Sequence, residues 1–412
     1  MAGKTVVILG GGVGGLMTAN SLRTLLPDRH RIMLVEKNSQ HSLAASHLWV
    51  MSGDRDPADI TRPIASLVRH GVELITSDVH GIDVSRAVVE VDSGSLSYDF
   101  LVVALGAEMA PELVPGLPAA HTFYTLDGAV RLRDSLRQFP GGTVAVVVSS
   151  VPYKCPGAPH EGAMLIADTF RRRGMRDRVD MHLFTPEPQP MPVAGPELGD
   201  AVRSMLDSSG VGFHPGHKLK EVISEKGELV FEGKEPVKCD LLVAIPPHRG
   251  PTLARESGLA NETGWIPVDP ATLRTKHDNV YAIGDATTIA IPGRWKLDVP
   301  LNLPKAGVFA HCQADVVARR IAAEINGSPA SETFAGDGYC VLEAGGRMAG
   351  FAFGDFLATP QPKVQMRNLG RSWHVGKVLF EKWWLAPYGL RRSLLRAAIT
   401  MGARAVGIPV HL

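Results

Sequence analysis

The sequence predicts an α/β protein built from two Rossmann-like nucleotide-binding domains, the first interrupted by the second, with an amphipathic helical tail at its C-terminus. Three observations carry this. Residues 4–36 read as strand, glycine turn, helix and strand, the βαβ unit of a nucleotide-binding sheet. A second strand-then-helix unit begins at residues 144–148, before a short strand at 279–283 that runs into Gly284 and Asp285. Residues 378–405 set aromatic and basic side chains around an apolar stripe, as an amphipathic helical tail does. The boundaries follow as 1–110 and 266–325 for the two parts of the first domain, 111–265 for the second, and 326–412 for a C-terminal region.

Taken in order, KTVVIL at 4–9 is a β-branched apolar run that ends at glycines, and 14–26 has helical periodicity. RIMLVE at 31–36 is a second buried-type strand. Alternation at 87–91 and 95–100 around Asp92-Ser93-Gly94 predicts a hairpin, and LVVAL at 101–105 another buried strand. The helix of the second unit is expected near 161–173. Residues 185–196 carry five prolines and read as a loop.

With 412 residues, 45% apolar and 21% charged, the chain can bury a large core. Its net charge of +1 is unevenly spread. From residue 361 onward nine Lys/Arg face one acid, Glu381, leaving 34 basic and 41 acidic residues before them. A basic tail on an acidic body predicts a charged surface as its partner. No leader with a basic and then an apolar region is read at the N-terminus, and no stretch is long and apolar enough to span a bilayer. A cytoplasmic chain, peripheral on the inner face of the cell membrane, is expected.

Gly10, Gly12 and Gly15 stand in G-x-G-x-x-G spacing between the first strand and helix. Such a turn lets the backbone bend tightly and approach a pyrophosphate, while the helix N-terminus offers free N–H groups. Glu36, followed by Lys37, ends the next strand, where a carboxylate can accept hydrogen bonds from ribose hydroxyls. After the corresponding strand of the second domain, SSVPYKCPGAPHE at 149–161 keeps only Gly157 among three prolines. Prolines lack the N–H groups that would hold a pyrophosphate, so tight NAD(P)H binding is not expected. No metal is expected.

Four cysteines do not make a disulfide scaffold in so long a chain. Cys155 precedes a helix, and the helix dipole together with Lys154 is expected to lower its thiol pKa. Cys340 lies far downstream in GYCVLEAG. On the residues alone the two are either a reactive pair or unrelated buried thiols. Cys239 is expected within a strand and Cys312 on a helix, both as core. His160 reads as a solvent-facing loop histidine that could otherwise shuttle protons near neutral pH.

YDFLVVALGA at 98–107, with Gly106, and TKHDNVYAIGD at 275–285, with Gly284 and Asp285, resemble the later signatures of the two-dinucleotide-binding-domain flavoproteins. That resemblance implies FAD, its ribitol held by Asp285. YKCPGAPHE at 153–161, IPPHRG at 245–250, GWIPVD at 264–269 and LPKAGVFA at 303–310 narrow it further. Over nearly its whole length the chain resembles the sulfide:quinone oxidoreductase and flavocytochrome c sulfide dehydrogenase family. The resemblance implies that Cys155 and Cys340 form a redox-active bridge beside the isoalloxazine, with Glu161 near it as a proton carrier. Lys305 would contact the flavin pyrimidine end, where a fixed cation stabilises the reduced anion. Two departures stand out. A third cysteine upstream of Cys155 is missing, and so is the cysteine that tethers FAD in the flavocytochromes, so non-covalent FAD is expected.

VLFEKWWLAPY at 378–388 sets Phe380, Trp383, Trp384 and Tyr388 beside Lys377 and Lys382; Leu394, Leu395, Ala398 and Met401 then alternate with Arg391, Arg392 and Arg396. This pattern suits a helix lying in a lipid interface. Packing on the body or on a second copy of the chain is the other reading. Nucleic acid is not expected, because no recognised module accompanies the charge. The function expected is FAD-dependent oxidation of sulfide or a small persulfide, with electrons passed to a membrane quinone. An NADH:quinone oxidoreductase of the same fold is the alternative enzyme, and a non-catalytic FAD protein that recruits a membrane or partner is the alternative of another class.

Overall fold

The computed structural model describes residues 3–295 and 301–408. The chain opens with strand β1 (Thr5–Leu9), helix α1 (Val13–Leu25) and strand β2 (Arg31–Glu36). A short helix α2 (His47–Met51) follows, then β3 (Glu73–Thr76). Strands β4 (Val79–Asp83), β5 (Val88–Val91) and β6 (Gly94–Ser97) form an antiparallel three-stranded unit that contains the expected hairpin. Strand β7 (Phe100–Val103) starts immediately after it.

Helix α3 (Leu126–Gln138) leads into the second sheet: β8 (Gly142–Val148), helix α4 (Ala158–Arg172), β9 (Val179–Phe184), helix α5 (Pro196–Ser208), β10 (Val211–His214) and β11 (Leu241–Ile245). The chain then returns. Strand β12 (Val280–Ala282) pairs in parallel with β7, completing a sheet in the order β12-β7-β1-β2-β3. Helix α6 (Gly307–Ile325) packs on α1. The second sheet, also parallel, runs β10-β9-β8-β11. The two passages between the sheets run side by side, joined where Glu108–Met109 pairs with His248–Arg249.

The central strands are apolar because helices or further sheet cover both faces. Val6, Val7, Ile8 and Leu9 of β1 and Val144 to Val148 of β8 have no exposed surface. Within each sheet the parallel order puts the strand C-termini at one edge, those of β1 and β2 in the first sheet and that of β8 in the second, where ligands of such sheets bind.

The C-terminal region departs from an all-helical tail. Strands β13 (Asp337–Gly345), β14 (Met348–Asp355) and β15 (Lys363–Gly370) form an antiparallel sheet, and only then do helices α7 (Arg371–Trp384) and α8 (Leu390–Ala405) follow. Among the described residues no helix is long and apolar enough to cross a membrane. Trp383 and Trp384, expected at a lipid interface, are buried in the core instead. Arg392 is buried with them, donating to the carbonyls of Trp384 and Ala386. What remains exposed is Leu390, Leu394, Met401 and Val406 among the α8 arginines.

Candidate active site

The glycine turn is built as its spacing predicts. Gly10 has φ +99, and a Cβ there would lie 2.5 Å from the Ala104 carbonyl oxygen. A Cβ on Gly15 would lie 1.8 Å from the Gly10 carbonyl oxygen, so only glycine lets α1 approach β1 this closely. Gly12 faces open space, with nothing within 4 Å of its Cβ direction. Glu36 accepts the Gly11 N–H at 2.6 Å and two N–H groups of Asn38. Lys37 beside it is exposed.

Gly106, with φ +72, also faces open space. Asp285 follows Gly284 (φ +69), whose N–H is held by Gln313 Oε1 at 2.7 Å. Asp285 Oδ1 is shut from solvent and has no hydrogen-bond partner in the protein. Burial raises its pKa against the pull of Lys154 and Lys305. A buried acceptor without a donor, beside glycines that keep space open, fits the hydroxyl-rich chain of FAD.

Lys305 lies across this opening. Its ammonium donates to the carbonyls of Asp285 (3.1 Å) and Thr287 (2.8 Å) and sits 3.3 Å from the Trp265 ring centroid. Burial pushes its pKa down to about 8, with Asp285 opposing. The Cys155 segment is tied to it directly. Lys154 and Lys305 form a parallel bridge, and the Cys155 N–H donates to the Lys305 carbonyl at 2.6 Å. Cys155 itself has φ +55, an unusual conformation for a non-glycine residue. The Tyr124 hydroxyl donates to the carbonyls of Lys154 and Cys155.

Cys340 reaches the same place from β13. A Cβ on Gly157 would lie 3.3 Å from Cys340 Sγ and 3.7 Å from Glu161 Oε2, so the thiol and the carboxylate converge on that glycine. Both cysteines are free thiols in this structure. The expected lowering of the Cys155 pKa is wrong. Burial pushes it up to about 12, helped by Glu161, and Lys377 only partly offsets this. The helix end and Lys154 lose to desolvation. Cys340 is raised as well, first by burial and then by Glu161 and Cys155.

Glu161, in the first turn of α4, is buried, and its Oε1 accepts from Lys377 Nζ (2.5 Å) and from the Glu343 N–H (3.0 Å). Lys377 also donates to the Val341 carbonyl. Burial alone would lower its pKa, but Glu161 and Glu343 raise it. Glu343 in turn pairs with His374 Nδ1 at 2.9 Å. Lys377, Glu343 and His374 were not read as site residues, Lys377 having been counted only as a tail cation. The Glu161-Cys155 spacing gave no hint of them, because all three arrive from the far C-terminal region.

His160 is not a loop residue. It lies on α4 without exposed surface, its Nδ1–H donates to the Pro156 carbonyl, and burial holds its pKa down at about 4. It stays neutral and carries no shuttled proton near pH 7. Cys312 lies on α6, partly buried against the main core. Cys239 is in the turn before β11 rather than within a strand, and only half-buried. In the second domain Tyr153 donates to Glu187 Oε2 at 2.7 Å across the turn where a nicotinamide cofactor's phosphates would lie. Burial pushes Glu187 up to about 7.

Two nucleotide-type sheets, an open glycine turn with an unpartnered acid, and a half-buried pair of thiols beside a cation define a flavin-dependent oxidoreductase. The chain belongs to the pyridine nucleotide-disulphide oxidoreductase family, whose model matches residues 4–306. It is 27% identical to the sulfide-quinone reductase of Aquifex aeolicus (strain VF5) over 399 residues, 93% of this chain and 90% of that one. It is 25% identical to a type II NADH:quinone oxidoreductase of Staphylococcus haemolyticus (strain JCSC1435), over 80% of this chain and 84% of the relative. The crystal structure of the sulfide:quinone oxidoreductase from Aquifex aeolicus shares the fold, with a TM-score of 0.85 at 24% identity, covering 99% of this chain and 96% of that one.

Proposed function

We propose that the chain oxidises sulfide, or a small persulfide, through a Cys155–Cys340 redox pair and passes the electrons by way of non-covalently bound FAD to a quinone. The observation that carries this is the convergence of Cys340 and Glu161 on Gly157, one turn from a Cys155 backbone pinned to Lys305. Non-covalent attachment rests on the four cysteines: 155, 239, 312 and 340 all lie away from the end of the first βαβ unit.

In the oxidised enzyme the two sulfurs share a bond. Hydrosulfide attacks one of them, the Cys–Cys bond breaks, and one cysteine keeps the incoming sulfur as a persulfide while the other leaves as a thiolate. FAD, when bound, supplies a two-electron acceptor that a quinone can reoxidise. Glu161 accepts or returns the proton that accompanies the sulfur chemistry. Lys377 holds Glu161 and offsets the charge of the thiolate. Lys305 would stabilise the negative charge of a reduced flavin. Gly10, Gly12, Gly15, Glu36, Lys37, Gly106, Gly284 and Asp285 would hold the cofactor.

The exposed aliphatic residues of α8, interleaved with Arg391, Arg396 and Arg404, support docking of this helix on the inner face of the cell membrane, where quinone is reached. The direct test is anaerobic. Sulfide added to the flavin-loaded protein bleaches the oxidised flavin band, quinone restores it, and NADH leaves it unchanged. C155S and C340S retain flavin but lose the sulfide response. Rapid bleaching by NADH with none by sulfide would replace this reading with the NADH:quinone one.

A further inference from the structure

A hydrogen-bond chain runs from the C-terminal helices to the dinucleotide turn. At the end of α7 the Trp384 indole N–H donates to His41 Nε2 at 2.9 Å. An indole nitrogen can only donate, so His41 Nε2 is the acceptor and the neutral ring carries its proton on Nδ1. That Nδ1 lies 3.2 Å from the Gly11 carbonyl and donates to it. Burial lowers the His41 pKa, against the Gly11 carbonyl and Glu36, which keeps the ring in this neutral form. Gly11 is therefore held on both sides, its N–H by Glu36 and its carbonyl by His41.

The same end of α7 is fastened to the segment after β2 by a second contact. Glu381 accepts from Ser46 Oγ at 2.6 Å and from Arg55 Nε at 2.8 Å. Arg392 extends the attachment to α8 through the Trp384 carbonyl. Beyond these contacts α8 packs on the body mainly through Leu395 and Ile399, and most of its other side chains are exposed. Segments of this kind open locally at less cost than the core.

We propose that His41 is a positioning residue that couples the dinucleotide site to the C-terminal helices, so that FAD binding fastens α7 and α8 to the body and release of these helices weakens FAD. The inference rests on the FAD reading above but not on the sulfur chemistry. FAD binding fixes the Gly11 peptide, a fixed Gly11 carbonyl orients His41, and an oriented His41 receives Trp384. By linkage the effect is reciprocal: whatever factor FAD adds to helix docking, docking adds to FAD affinity.

The test compares full-length protein stripped of flavin and reloaded with FAD. Trypsin cleavage at the tail's Lys and Arg residues is followed beside FAD affinity. In the wild type FAD slows tail cleavage by on the order of tenfold, the scale of one or two buried hydrogen bonds. His41→Asn keeps a donor near the Nδ1 position but cannot reach Trp384. By the same linkage it binds FAD about tenfold more weakly than wild type, and it loses FAD protection of the tail. Trp384→Phe loses the same protection, and the two changes together lose no more than either alone. Equal tail cleavage with and without FAD in the wild type would overturn the coupling, as would full FAD protection in H41N. Failure of the wild-type chain to bind FAD at all would sink the cofactor reading and this inference with it.

Discussion

Lys377 Nζ lies 2.5 Å from Glu161 Oε1, joining a helix of the C-terminal region to the first turn of α4 near Cys155 and Cys340. Both side chains are nearly shut from solvent, at 12% and 3% exposure. A buried carboxylate without its cation costs several kcal/mol, whereas removing both charges leaves no such penalty. K377M should therefore lower unfolding stability by about 3–5 kcal/mol. K377M/E161Q should recover most of that loss in denaturant titrations. Neither variant should recover the rate of sulfide-dependent flavin reduction, because the thiolate has lost its neighbouring cation and its proton carrier. A double variant as active as wild type would assign the pair to structure alone.

Lys305 predicts an alkaline limit. Burial sets its pKa at about 8, below the ordinary lysine value of 10.5. The charge is present below that pH and is lost as pH rises through it, so a rate that depends on the cation falls above pH 8. K305R keeps its charge throughout this range. In stopped-flow measurements of flavin reduction, the alkaline limb should move upward in K305R and disappear, with a low plateau, in K305M.

How far the site was legible depends on distance along the chain. The geometry of the glycine turn, of Glu36 and of the short run into Asp285 was readable because strand, turn and polar side chain lie within a few residues of one another. The Cys155 environment was half readable. Its position before a helix was correct, but the sign of its pKa shift was not, since desolvation and the charge of Glu161 outweigh Lys377, which arrives from the C-terminal region. Trp383 and Trp384 show the same limit. Their pattern suits a lipid interface or a core, and in the structure both rings lie in the core, with Arg392 over the Trp383 ring. The sheet of β13 to β15 was missed although its last strand opens with the period-two alternation Lys363, Val364, Gln365, Met366, Arg367.

Glu187 makes the second domain's stability pH-dependent. Burial raises its pKa from 4.5 to about 7, so between those values the folded chain binds a proton that the unfolded chain has released. The unfolded state then binds fewer protons, and stability falls as pH rises from about 4.5 to about 7. E187Q removes the charge and keeps a partner for Tyr153. It should gain about 3 kcal/mol relative to wild type at pH 8 and almost nothing at pH 4.5. Urea titrations at the two pH values check this, and an equal shift at both would deny the titration.

The exposed face of α8 gives the last prediction. Leu390, Leu394 and Met401 are 76%, 61% and 66% exposed, and they share their helix with four arginines, of which only Arg392 is buried. Burying three such side chains in a lipid interface contributes roughly 1.5–3 kcal/mol each, and the free arginines add attraction to anionic headgroups. Two aspartates at Leu394 and Met401 remove much of the apolar term and oppose the charge term. They touch neither Glu161 nor the dinucleotide turn. L394D/M401D should therefore reduce co-sedimentation with anionic vesicles by at least tenfold, while flavin reduction by sulfide in solution stays at the wild-type rate. Turnover with a quinone confined to the vesicles should fall with binding, while turnover with a short-chain soluble quinone should not. If vesicle binding survives the double substitution, α8 packs on another protein surface, and the tail's charge has a different partner.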